Sequence, residues 1–410
     1  MSQILLHDCA LLDVERGEVR PGHFVLVEDD LIREVSDREI TAPEARRIDV
    51  RGRTLMPGLI DAHVHAVITT MNLAAMLSKP VTLVAQEARV LLEAMLRRGF
   101  TTVRDAGGAD WGLAQAVERG LVQGPRIFFA GRTLSQTGGH GDFRPRDDAP
   151  NLCACTIYSS GFSHVADGVD AVRKAAREEL RRGANQIKIM ASGGVASPTD
   201  PIWNLQYSEE EMRAIVEEAR SWRTYAMAHA YTPEAITRAL RAGVRTIEHA
   251  NLIDAETAAL AAEKGAYVVP TLVTYYAIDE LGRALGFPET SQRKVKDVLA
   301  AGLASLEICR DAGVPMGFGT DLLGETHEQQ SREFRIRAEV LSPAEILRSA
   351  TLVNAEILGK SGELGVVAPG ARADLLVVDG NPLDDLSLLG DQGKHLDLIM
   401  KGGELVTNRA

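Results

Sequence analysis

Cysteine is scarce in this chain: Cys9, Cys153, Cys155 and Cys309 are four residues among 410. That is too few for the disulfide framework that staples small secreted domains. Cys153 and Cys155 form a C-x-C in "NLCACTIY" with no second cysteine pair or neighbouring histidine. A tetrahedral structural zinc site would be short of ligands there, and both read as reduced thiols in a loop. Positive charge is also short. Lys and Arg number 45 against 57 Asp and Glu, a formal net charge of −12, whereas nucleic-acid and anionic-membrane partners select basic surfaces. No apolar run approaches the ~20 residues of a membrane-spanning helix. The opening "MSQILLHDCALLDVERGEVR" lacks the basic segment and sustained apolar stretch of a signal peptide. The expectation is a cytoplasmic protein with a small-molecule partner, no nucleic acid and no membrane.

What is present is a globular composition, 45% hydrophobic and 25% charged, long enough for one large domain and a smaller one. One cadence recurs. "LRRGFTTVRDAGG", "LRRGANQIKIMASGG", "LRAGVRTIEHAN", "AEKGAYVVPTL" and "RDAGVPMGFGTD" each pass from a charged amphipathic segment through a glycine into a short apolar strand. Gly99, Gly183, Gly243, Gly265 and Gly313 stand where a helix C-terminus accepts a residue of positive φ. "GLIDAHVH", "TTVRD", "RIFFAGR", "QIKIMAS", "TYAMAHA", "TIEHA", "YVVPT" and "PMGFGTD" supply eight strands, continuous and β-branched as strands buried on both faces are. Eight strands alternating with helices predict an α/β fold, a (β/α)8 TIM barrel. A doubly wound sheet would want a glycine-rich turn after the first strand, and "HVHAVITTMN" is not one. Short β runs broken by Gly, Pro and Asp mark both ends. They predict a small β-sandwich built from residues 1–56 plus 363–410 around a catalytic barrel of residues 57–362. The poorly patterned stretch 137–163 is a candidate active-site loop.

Catalytic groups of such barrels sit at the C-terminal strand ends. Those ends carry His63 and His65 in "AHVH", Lys188, His229, His249 and the Asp321 of "GTD". Any one has a bland explanation: a hydrogen-bonded core histidine or a solvated loop acid. Lys188 resists it, because an ammonium inside a barrel costs several kcal/mol unless paired or neutralised, by a Schiff-base role or by carboxylation. Six such residues on five strand ends argue for one site.

As a set, "PGLIDAHVH", the strand-four lysine, the two later histidines, "GTD" and "PGARADLLVVDGNPL" resemble the amidohydrolase superfamily over nearly the whole chain. The strand-four lysine is similar to that of the binuclear branch. There a carboxylated lysine bridges two divalent metals, usually zinc. The resemblance implies His63, His65 and Asp321 on one metal, His229 and His249 on the other, and carboxylated Lys188 between them. "TTVRDAGG", "LSQTGGHGD", "QIKIMASGGVASPTDP" and "AHAYTP" look like the prolidase-type dipeptidases, which cleave Xaa-Pro dipeptides and N-acyl-prolines. Relatives of these prefer a C-terminal Arg or Lys, or release phenylalanine from N-acyl forms including ochratoxin. Trp203 and the lack of an acidic cluster nearby favour an apolar side chain or proline over Arg.

Two metals about 3.5–4 Å apart would hold hydroxide at neutral pH, with Asp321 as general base and then acid. By resemblance His140 of "GGHGD" assists the carbonyl oxygen. Tyr231 could bind the α-carboxylate. Arg104 and Asp105 read as an ion pair or a supporting contact. The family also implies a homo-oligomer. A hydrolytic deaminase would place a glutamate close after the strand-five histidine, and here Glu234 comes five residues on. A Schiff-base aldolase would leave four histidines idle, and a non-catalytic binding protein should have lost ligands.

Overall fold

The computed structural model describes residues 2–144, 162–197 and 199–409. Cys153, Cys155 and most of the 137–163 loop therefore lie outside the described residues. Five strands open the chain: β1 (Gln3–Asp13), β2 (Glu18–Glu28), β3 (Leu31–Ser36), β4 (Arg46–Asp49) and β5 (Thr54–Pro57). Nine follow in the middle among the described residues: β6 (Leu59–Val64), β7 (Phe100–Asp105), β8 (Arg126–Phe129), β9 (Thr133–Ser135), β10 (Ser163–Val165), β11 (Ile187–Met190), β12 (Ala226–Ala230), β13 (Thr246–His249) and β14 (Tyr267–Val269). Three close it: β15 (Leu375–Val378), β16 (Leu396–Lys401) and β17 (Glu404–Asn408).

Both ends build one eight-stranded sheet of order β17-β16-β15-β5-β1-β2-β3, with β4 added to β1. Strand alternation sorts its side chains. In β15, Leu375 and Val377 pack with Ile4, Val25 and Leu398 inside the terminal sheet. Leu376 and Val378 point the other way, against Leu96, Phe100 and Phe334 of the central segment.

The middle strands form two parallel sheets, β6-β7-β8 and β10-β9-β11-β12-β13-β14. The predicted eighth strand, 315–321, makes only an isolated bridge to β14. It nevertheless bonds on both sides. Val268 N donates to Pro315 O at 3.2 Å and Gly317 N to Val268 O at 2.8 Å, while Ala62 N donates to Phe318 O at 2.8 Å. Its composition explains the irregular ladder. Pro315 brings no donor, and Gly319 lies so close to β6 that a Cβ there would stand 2.9 Å from His63 Cβ. Asn354 replaces ladder bonds with its side chain, donating to Ile60 O and Phe318 O at 2.6 and 2.9 Å and accepting from Phe318 N at 3.1 Å. Between β8 and β11, Gln186 Nε2 reaches Asp105 O at 3.1 Å and Phe128 O at 3.2 Å.

The expected third strand "RIFFAGR" breaks at Gly131, which is left-handed (φ 73°), and β9 and β10 are additional to the sequence reading. The glycine cadence holds: Gly99, Gly183, Gly243, Gly265 and Gly313 all have positive φ. Helix Pro233–Ala242 shows why such a segment stops and starts where it does. Thr232 caps its first turn, Pro233 opens it, and Gly243 ends it in the left-handed conformation. No helix among the described residues is long and apolar enough to cross a membrane.

Candidate active site

His63 is buried near the end of β6 and His65 lies just beyond it, their ring centroids 5.5 Å apart. Both face Asp321, whose Oδ1 is 3.4 Å from His63 Nε2 and 3.2 Å from His65 Nε2. His249 closes a compact group at the end of β13, with its ring 5.0 Å from His63 and 4.6 Å from His229. His63, His65, Lys188, His229, His249, Asp321 and His140 line one pocket. Tyr231 stands behind it, 4.8 Å from His229 ring to ring. His249 (φ 74°) and Asp321 (φ 52°) both adopt left-handed backbone, a cost that side-chain-bearing residues accept mainly at functional sites.

The framework around the histidines fits a cation. A carboxylate only accepts, so His63 Nδ1 donates to Glu248 Oε2 at 2.7 Å. His65 Nδ1 donates to Gly107 O at 2.8 Å, and His249 Nδ1 pairs with Thr271 Oγ1 at 2.8 Å. Each ring is thereby left with Nε2 for a metal, the usual arrangement of metal-binding histidines. Among the described residues, His63 Nε2 is buried with no hydrogen-bond partner, a costly state unless something binds it. Ligand atoms of His63, His249 and Asp321 lie within 4.8 Å of one another, a grouping that cuts across the two ligand sets expected from the sequence. His229 differs too. Its Nε2 donates to Gly193 O at 3.1 Å, so Nδ1 is the nitrogen left over.

Charge at the site is strongly perturbed. Burial pulls the Lys188 ammonium down to about 8, against the upward pull of Glu248 and Asp321. Burial alone would raise Asp321, yet His63, His65 and His249 hold it well below the ordinary carboxylate range. His140 is driven down to about 4, chiefly by burial.

Arg104 and Asp105 do not pair with each other. Adjacent strand residues face opposite ways, and the two serve different neighbours. Arg104, fully buried, donates to both oxygens of Glu248 at 2.9 and 3.0 Å and to Ala62 O at 2.6 Å. Asp105 accepts from the backbone N–H of Ala66, Gly107 and Ala109. The Arg104–Glu248–His63 chain is a supporting contact that sequence reasoning reached only at Arg104. The signal for Glu248 was present: a lone acid in the apolar run "TIEHA". Tyr231 is buried, its hydroxyl 2.9 Å from that of Tyr275, a partner not foreseen. Trp203 is 73% exposed and lines a separate surface pocket. The apolar wall of the central pocket is made instead by Ile68, Leu73, Phe143, Phe162, Met190 and Leu323.

The amidohydrolase family matches residues 54–406. A solved prolidase in complex with N-methylphosphonate-L-proline is 56% identical, with a TM-score of 0.97 over 99% of this chain and 100% of that one. A Xaa-Pro dipeptidase structure with methionine bound in its active site is 30% identical, with a TM-score of 0.88 over 99% of this chain and 100% of that one. Ochratoxinase of Aspergillus niger is 31% identical over 95% of this chain and 84% of its own. With residues 54–406 matched by its model, the chain belongs to the amidohydrolase family.

Proposed function

We propose that this protein is a metal-dependent dipeptidase of prolidase type, hydrolysing the amide bond of Xaa-Pro dipeptides and N-acyl-L-prolines. We further assign residues 57–362 to a (β/α)8 catalytic barrel and residues 1–56 with 363–410 to a β-sandwich. The observation that carries the reading is one pocket holding five histidines, Lys188 and Asp321 against an apolar wall. Similarity to the prolidase bound to a phosphonate analogue of acyl-proline supports the proline side of it.

His63, His65 and Asp321 would hold one divalent cation, zinc by preference, and His229 and His249 a second. Lys188 would bridge them as its carbamate, since a free ammonium there would repel both. Bound there, such cations would supply a water of lowered pKa and polarise the scissile carbonyl. Asp321 takes a proton from the attacking water and returns it to the leaving nitrogen, which for proline is a secondary amine that must leave protonated. His140 donates from its ring to the carbonyl oxygen. Tyr231 directs its hydroxyl at the α-carboxylate, steadied by Tyr275. Ile68, Leu73, Phe143 and Leu323 exclude water from the acyl side.

The test is amino-acid release by the zinc-loaded protein from matched dipeptides and N-acyl amino acids ending in L-Pro, L-Arg or L-Phe. Preference for the proline series supports the reading. Rapid release of arginine, or of phenylalanine as the ochratoxinase relative would suggest, rejects proline while keeping amide hydrolysis.

A further inference from the structure

His140 reaches the pocket from the long loop after β9, and its imidazole is held on several sides. The backbone N donates to Gln206 Oε1 at 2.8 Å. The ring stacks on His229 with centroids 4.3 Å apart. Gly194 lies against its face so closely that a Cβ there would stand 2.1 Å from His140 Cε1. Nδ1 is 2.7 Å from the hydroxyl oxygen of fully buried Ser197.

Which of Ser197 and His140 donates across that contact decides what His140 can do. Among the described residues the Ser197 hydroxyl has one alternative acceptor, Gly194 O, at 3.4 Å. That carbonyl also accepts from Lys294 Nζ at 2.9 Å, and the serine oxygen lies farther from it, at 3.4 Å, than from Nδ1, at 2.7 Å. Nδ1, for its part, could give a proton to Asp200 Oδ2, 3.9 Å away. That oxygen already accepts from Gly194 N at 3.1 Å and Gln206 Nε2 at 3.0 Å. Lys294 belongs to the helix Glu289–Asp311 and also donates to Ser197 O at 2.8 Å, so it ties this loop to a rigid element.

We propose that Ser197, seated by Lys294, donates its hydroxyl proton to His140 Nδ1 and so keeps the ring proton of His140 on Nε2. A ring protonated on Nε2 can donate to a carbonyl oxygen, whereas its tautomer would present a lone pair and repel one. Ser197 and Lys294 are positioning residues, acting through His140 without touching substrate. The catalytic consequence rests on the amide-hydrolysis reading above; the tautomer does not.

The experiment is nitrogen-15 NMR of the zinc-loaded protein labelled at histidine, with the His140 signals assigned from His140→Gln. An unprotonated Nδ1 and a protonated Nε2 in the wild type are expected. Ser197→Ala should erase the preference and lower kcat by about 10-fold with KM within about twofold, and Ser197→Thr should restore both. Lys294→Met should act in the same direction, more weakly. A protonated Nδ1 in the wild type overturns the proposal, as does Ser197→Ala with tautomer and kcat unchanged. A wild type with the expected tautomer that hydrolyses no amide supports the positioning and rejects the functional reading instead.

Discussion

The terminal sheet and the central strands spend their buried positions differently. In β15 all four residues, Leu375 to Val378, are apolar and buried, and each lands in one hydrophobic cluster or another. In β7, β11 and β13 the buried positions include Arg104, Lys188 and Glu248, none more than 1% exposed. Burying ionised groups costs several kcal/mol each before pairing. The first region is built to be stable, and the second accepts a penalty to hold charge beside the pocket.

The contrast is sharpest at Lys188. Lys188→Ala should abolish amide hydrolysis by about 1,000-fold or more and remove at least one metal, while melting of the metal-free protein stays level or rises. Full activity with two metals per chain would end the bridging assignment. Leu376→Ala should do the reverse. It leaves a cavity between the terminal sheet and the central segment and costs about 2–5 kcal/mol, with kcat of the folded fraction unchanged. A loss of kcat without a loss of stability would show that the two regions are not separable.

Glu248→Gln tests the middle ground. It keeps a hydrogen-bond acceptor for His63 but removes the charge facing Arg104. Metal affinity should fall about 10–100-fold, read by competition with a chelator, and unaltered affinity would reduce the Arg104–Glu248–His63 chain to packing. The smallest effect belongs to the ion pairs between the helices Val169–Arg181 and Glu209–Ser221. Hydrogen bonds from Arg177 and then Arg173 hold the Glu218 carboxyl below its ordinary value. A folded pKa below the unfolded one stabilises above the unfolded carboxylate value of about 4.3, and that contribution fades as pH falls through the folded value. Glu218→Gln should therefore flatten the acid limb of a melting-temperature profile slightly; an unchanged limb would mean that solvent screens the pairs completely.

Much of this was legible in the sequence because strand alternation and helix punctuation are local. "AHVH" aims two rings at one place, and a lone lysine in "QIKIM" has few bland explanations. Contacts between distant elements were not legible. Spacing placed Arg104 beside Asp105, and only the fold shows Arg104 turned toward Glu248. Ser197 and Thr271 carry no pattern of their own; they matter for which nitrogen they meet. Trp203 drew attention by residue type, yet chain geometry leaves it on the outside. The segment 315–321 read as a regular strand, and its glycines and proline made it a seam instead.

The pairing of β5 with β15, Leu55 opposite Val377, has a consequence for how the chain matures. During synthesis β1 and β2 can zip together at once, but one edge of β5 has no neighbour until the last strands leave the ribosome. Until then that edge offers unpaired backbone to any passing strand, and the sites at the pocket are built on a foundation still open at one side. Long-range pairing of this kind slows folding and makes the nascent protein dependent on completion: a chain stopped short of β15 would be a candidate for aggregation.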